Sequence, residues 1–477
     1  MLKPTIGLEI HAELRTKTKM FCGCPNDPEE RHPNVNTCPV CLAHPGVLPT
    51  ANAEAIKAVL KLGLAVGGEL PTRAKFDRKS YFYPDLPKGY QISQYDEPLV
   101  LGGGLAGIKI RRVHLEEDTA RLSHAADGSG SLIDFNRAGV PLMELVTEPV
   151  IHSAEAALNF ARELQLLLRY LGISNAEMEN GEMRIEANIS MAEEGASSFG
   201  TKVEVKNINS FKAVEGAIAY ELERQAKAIS AGERIVQETR GWDTVGNRTV
   251  SQRVKEEAHD YRYMPEPDIP PLDFGAPNAI DLTILKTLIP ELPWDKRKRF
   301  INEYKLEPEQ SEFLAADPAT ADFFEEAVSE FAADGASGTK TLFNYLSSDL
   351  QGLLNDANLR IGDKDFKITP EKFADLVSLV VKQEITSRLA KNVLSEMFKT
   401  GLDAHQIISQ MGLEEFGGGD RLQEIVRAAV ANNSKAVDDF KKGKENALQF
   451  LTGRVMAATK GSAKPEEVRA ALLKELK

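Results

Sequence analysis

The sequence predicts an α+β protein: a domain of largely antiparallel sheet with helices, then an all-helical domain, then a small helical tail. Three observations lead there. Strand-like alternation recurs through residues 1–210 between helical stretches. A dense run of prolines (Pro265, Pro267, Pro270, Pro271, Pro277, Pro290 and Pro293) then marks a domain exit. Beyond it strand alternation stops and helical spacing takes over. The expected boundaries are 1–293, 294–405 and 406–477, in line with a 477-residue chain holding about three domains.

The first strand is expected over Thr5 to Leu14. Ile6, Leu8, Ile10, Ala12 and Leu14 share one face, and Glu9, His11 and Glu13 share the other. Asn52 to Leu64 reads as a helix. Strands are expected over Ile108 to Leu115, Leu132 to Phe135 and Leu142 to Val146. Ser153 is an N-cap residue ahead of Leu158, Ala161, Leu164, Leu168 and Leu171, and Gly172 closes that helix. Arg184 to Ser190 and Lys202 to Asn207 alternate as strands, and Phe211 to Ala231 reads as a long helix.

The net charge of −13 excludes a simple electrostatic coat for nucleic acid. The charge is uneven, however. Residues 434–477 carry ten Lys and Arg against six Asp and Glu, so this end can touch a polyanion or can simply be a solvated helical face. No apolar run approaches the roughly 18 residues of a membrane helix. The opening residues Met1 to Thr5 form no apolar leader, and a cytoplasmic protein is expected.

Cys22, Cys24, Cys38 and Cys41 are the chain's four cysteines, and all lie within 20 residues. Two short-spaced pairs suit tetrahedral zinc in a closed, structural shell, with reduced free thiols and an iron–sulfur cluster as the competing readings. The first pair is C-x-C, tighter than the usual C-x₂-C.

A second constellation is acidic. Glu9 and His11 project from one strand face. Glu117 falls on the face of Val113 and Leu115, and Glu144 sits inside the apolar run Val140 to Val146. A carboxylate is costly in either place unless paired or bound to metal. Together these groups suit a hard cation such as Mg²⁺. Ordinary ion pairs with Arg111, Arg112 and Arg137 satisfy the same spacing, because nothing in the sequence makes these strands neighbours. The stretch Asp77 to Gln91 interleaves bases with aromatics. It reads either as a grip on a nucleic-acid end or as a proline-pinned loop. No P-loop motif occurs, so any ATP chemistry needs another site.

Taken together, Ile6–His11, Phe76–Lys79, Tyr81–Asp85, Tyr90–Gln94, His114–Asp118, Asp134–Leu142, Glu204–Phe211 and His259–Tyr263 with Pro265–Asp268 resemble the GatB family, the B subunits of tRNA-dependent amidotransferases. The match covers about residues 6–272 in order and spacing. The tail from Asn433 to Gly461 resembles the family's YqeY-like domain.

The resemblance implies a cradle-shaped α+β domain, a helical domain and a helical tail. It implies ATP-dependent phosphorylation of the side-chain carboxylate of Glu mischarged on tRNA(Gln), or Asp on tRNA(Asn). Ammonia from a glutaminase subunit then displaces phosphate and leaves the amide. The implied partners are GatA and GatC in a heterotrimer, with mischarged tRNA and no membrane. It further implies Mg²⁺ at Glu9, His11, Glu117 and Glu144, and structural Zn²⁺ at Cys22, Cys24, Cys38 and Cys41. Lys79 and Lys88 would line a polar pocket near the ammonia route. Lys435, Lys441, Lys442, Lys444 and Lys460 would contact tRNA. Two other classes compete. A non-catalytic tRNA-binding scaffold leaves Glu144 unexplained, and a metal-dependent hydrolase acting alone lacks an open-site histidine cluster.

Overall fold

A computed structural model describes residues 2–125, 127–254, 261–277, 279–331, 335–411, 419–459 and 465–476. The chain divides into two compact units, Met1–Leu292 and Pro293–Lys477. Among the described residues no helix is long and apolar enough to cross a membrane.

The first unit is built from β1 (Leu2–Glu13), α1 (Ala53–Ala65), β2 (Asp77–Ser80), β3 (Tyr90–Ser93), β4 (Ile108–Glu117), β5 (Pro141–Thr147), α2 (Ala154–Tyr170), β6 (Met183–Glu193), β7 (Val203–Ile208), α3 (Phe211–Ser230), β8 (Glu238–Asp243) and β9 (Arg248–Val254), with several shorter elements. The main sheet runs β9-β8-β7-β6-β1-β5-β4, and the two-residue strand Val100–Leu101 closes the β4 edge. All neighbours are antiparallel except β7 and β8, which pair in parallel at Glu204 and Thr239.

Alternation decides what each face carries. Ile6, Leu8, Ile10 and Ala12 of β1 are fully buried, and Leu145, Val113, Ile185 and Ala187 share their face through the register. Helix α3 lies against β6 and β7, and α2 lies against α3. Both begin where the sequence indicates: Ser153 Oγ accepts from the Ala156 N–H at 3.1 Å, and Ser210 Oγ from that of Ala213 at 3.2 Å. The opposite face of the sheet is polar at its centre, where His11, Glu144 and His114 stand in register.

The β8–β9 hairpin is absent from the sequence expectation. Its β9 strand is an edge strand, Arg248-Thr249-Val250-Ser251, with too little apolar alternation to announce itself. The basic, aromatic stretch after Asp77 is also more ordered than a loop. β2 and β3 pair at Lys79 and Gln91, and Met264–Pro265 adds a third strand beside Arg78.

The second unit is helical in its described residues. Its apolar side chains form one cluster from Phe300 to Met411 and another from Leu422 to Leu476. Helix Ala404–Gln410 packs into the first of these through Ala404 and Ile407.

Candidate active site and cysteine cluster

The centre of the polar face is a row of side chains set by strand register. His11 of β1 stands directly opposite Glu144 of β5, and Glu144 stands directly opposite His114 of β4. Glu9 and Glu116 lie two residues along on the same face, because strand side chains repeat every second position. His11 Nε2 is 3.5 Å from Glu144, 3.4 Å from Glu116 and 3.9 Å from Glu9. His114 Nε2 is 3.2 Å from Glu144, and its Nδ1 accepts from Arg112 Nε at 3.4 Å. Glu116 and Glu144 are buried.

The electrostatics follow from this crowding. Burial pushes Glu9 up to about 7, and the charge of Glu144 adds to the shift. Burial opposes a charge on Glu144 too, but His114 and His11 outweigh it and hold Glu144 well below the ordinary carboxylate value. On His11 burial is likewise outweighed, chiefly by Glu144, and the imidazole rises to about 9. The carboxylate charge that raises His11 against burial, from Glu144, Glu116 and Glu9, also draws a cation. Glu9, His11 and Glu144 each offer a ligand atom within 4.8 Å of the others, and so do His114, Glu116 and Glu144.

Glu117 lies outside this group. Alternation turns it away from Glu116, and its oxygens lie 2.6 and 2.8 Å from Lys88 Nζ, with the Ile92 N–H donating to one of them at 3.0 Å. It has the partner that burial demands, but that partner is Lys88. Glu116 occupies the place expected for Glu117. The spacing Arg112, His114, Glu116 was the available signal, since alternation puts these three on one face. Lys79 does face the acidic row. Burial works against its charge, but Glu116 and Glu144 more than compensate and hold its pKa above the usual lysine value. Its Nζ lies 5.1 Å over the Tyr261 ring.

The four cysteine sulfurs come together, each within 4.8 Å of the others. Cys38 and Cys41 Sγ are 3.9 Å apart, and the Cys38 N–H donates to Cys41 Sγ at 3.1 Å. Zn–S bonds of about 2.3 Å give a tetrahedral S···S edge of about 3.8 Å, so the donor set fits zinc in type and spacing. A 290 Å³ cavity lies between this cluster and the Lys88–Glu117 pair, lined by Phe21, Cys22, Cys41, His44, Tyr90 and Ile92 among others.

In the tail, Lys435, Lys441, Lys442 and Lys444 are exposed, and Lys444 pairs with Asp439 at 2.9 Å. Lys460 lies outside the described residues, as do His259 and Asp260.

Comparison with known proteins gives the family of the chain. Residues 4–277 match the GatB/GatE catalytic domain, and residues 322–476 match the GatB domain. The chain is 42% identical over 480 residues to the B subunit of the aspartyl/glutamyl-tRNA(Asn/Gln) amidotransferase of Roseiflexus castenholzii, covering 99% of this chain and 98% of that protein. It is 44% identical over 476 residues to the protein of the same name from Thermotoga maritima, covering 97% of each. It is 42% identical over 468 residues to that of Brevibacillus brevis, covering 96% of each. A catalytic-domain match over more than half the chain, with near full-length identity above 40%, places this protein in the GatB/GatE family.

Proposed function

We propose that this chain is the subunit of a tRNA-dependent amidotransferase that activates and amidates the side-chain carboxylate of Glu mischarged on tRNA(Gln), or of Asp mischarged on tRNA(Asn). The observation that carries the reading is the His11–Glu144–His114 row with Glu9, Glu116 and Lys79 around it, in a chain of this family.

The chemistry explains why such a row is useful. A carboxylate is a poor electrophile for ammonia, and phosphorylation by ATP turns one of its oxygens into a leaving group. Glu9, Glu116 and Glu144, with His11, would hold Mg²⁺, which when bound neutralises phosphate charge. Strand register fixes these side chains before substrate arrives, so little reorganisation is needed. His114, held by Arg112 at Nδ1, directs Nε2 at Glu144 and keeps that carboxylate aimed. Lys79 brings a cation to the same face for phosphate or carboxylate oxygens. Lys88 and Glu117 form a separate buried pair, which we place on the path of ammonia from the glutaminase subunit.

In this reading GatA and GatC are the partners, the complex works in the cytoplasm beside its tRNA substrates, and the cysteine cluster holds structural Zn²⁺. The exposed tail lysines contact tRNA phosphates. Phosphate release from ATP by the assembled complex, measured with and without mischarged tRNA, tests the reading. Release that ignores mischarged tRNA would refute it.

A further inference from the structure

Lys19 is among the largest fully buried side chains of the protein. Its ammonium donates to the Asn36 carbonyl at 2.7 Å and the Phe135 carbonyl at 3.1 Å, and it lies 3.9 Å from Cys41 Sγ. No carboxylate is among these partners. Two carbonyl dipoles satisfy donors but do not neutralise a buried cation, which needs an opposite charge close by. The cysteine cluster supplies one. Four thiolates around Zn²⁺ would carry a net charge of two minus, and Cys41, the one buried cysteine of the four, is the one beside the ammonium.

We propose that Lys19 is the charge partner of the tetrathiolate zinc site and the tie that fastens the cysteine cluster to the turn entering β5. The second half follows from what the ammonium bridges. Asn36 belongs to the cysteine segment, whereas Phe135 belongs to the turn that leads to Glu144. Neighbouring bonds reinforce the joint. The Met20 N–H donates to the Gly139 carbonyl at 2.7 Å, and the Asn36 N–H to Asn136 Oδ1 at 2.9 Å. Lys19 is thus a positioning residue, acting through the metal shell and the β5 turn. The inference rests on the zinc assignment and adds to it a residue outside the four ligands.

The test compares Lys19→Met with Lys19→Gln in the full-length chain within its assembled complex. Methionine removes charge and hydrogen bonds; glutamine keeps a donor for the carbonyls. Zinc content is measured first, then the rate of zinc release to a chelator, with thermal melting alongside. We expect about one zinc in the unaltered chain and release at least about tenfold faster in both variants, the scale of losing an outer-shell partner. Variants that melt lower yet release zinc at the native rate would make Lys19 a carbonyl tie only and overturn the proposal. An unaltered chain without zinc overturns the zinc assignment itself. If either variant is insoluble, Lys19→Met is placed in a chain whose four cysteines are changed to serine. There the ammonium has lost its counter-charge and keeps only its carbonyl bonds, so its removal should be less harmful than in the native chain. Equal harm in both backgrounds sinks the idea.

Discussion

His11 and Glu144 are direct cross-strand partners on β1 and β5, with Nε2 and Oε2 3.5 Å apart. Two segments remote in sequence therefore meet in one register, and the meeting places a buried carboxylate between two imidazoles. A one-residue slip of either strand would send one of the pair to the apolar face. The sheet's core packing and its polar row are fixed by the same pairing.

Glu144 is accordingly the most informative single position. We predict that Glu144→Gln, which keeps the shape and removes the charge, lowers amide formation at least about 100-fold, the scale of several kcal/mol of lost charge stabilisation. Glutamine hydrolysis by the partner subunit should persist. Amide formation at the unaltered rate would remove Glu144 from the site. The same assay on Glu116→Gln and Glu117→Gln distinguishes the two neighbours, and Glu116→Gln should behave like Glu144→Gln in its metal dependence.

The site was legible in the sequence to the extent that single strands reveal it. Alternation put Glu9 and His11 together, and a charge inside Val140 to Val146 singled out Glu144. The neighbourhood of β1, β5 and β4 was not legible, because pairing between distant strands leaves no mark on either one. That is why the sequence of one strand favours Glu117, conspicuous on an apolar face, over Glu116. Burial did require a partner for Glu117, and β3 delivers the Ile92 N–H and the nearby Lys88. The fold was more legible than the site. The helix after Ser153 announces itself by cap and periodicity and the helix from Phe211 by its long helical pattern, whereas the polar edge strand β9 has neither.

The Lys88–Glu117 pair gives a second prediction. Both side chains are mostly buried, so removing one leaves the other uncompensated, at a cost of about 3–5 kcal/mol. Lys88→Met should lower the melting temperature of the first unit, and Lys88→Met with Glu117→Gln should recover part of the loss. If the pair also lies on the ammonia path, the double variant should use glutamine poorly while accepting free ammonium. Equal impairment with both nitrogen sources would place the pair outside that path.

The cysteine cluster should hold one zinc per chain. Removing it should loosen residues 20–45, which fold over little apolar core of their own, and hydrogen exchange would show this locally. Elemental analysis well below one equivalent, with four thiols freely titratable in the native chain, would contradict the assignment.

The tail offers the last prediction. Lys435, Lys441, Lys442 and Lys444 are exposed, in a segment that carries ten bases against six acids after Asn433. The described residues from Leu422 onward pack around their own apolar cluster. The segment can therefore present these bases without drawing on the sheet domain's core. A lysine on a phosphate adds affinity that falls with salt and adds little sequence information. Deleting residues 406–477 should then raise KM for mischarged tRNA and flatten its dependence on salt, while glutamine hydrolysis by the partner continues. Because Ala404 and Ile407 pack into the preceding helical cluster, a second deletion beginning at 419 controls for damage there. Replacing Lys435, Lys441 and Lys442 by Gln should reduce the slope of log affinity against log salt by about 0.9 for each duplex phosphate no longer neutralised. An unchanged slope in the triple variant, with unchanged KM in both deletions, would leave these lysines as a solvated helical face.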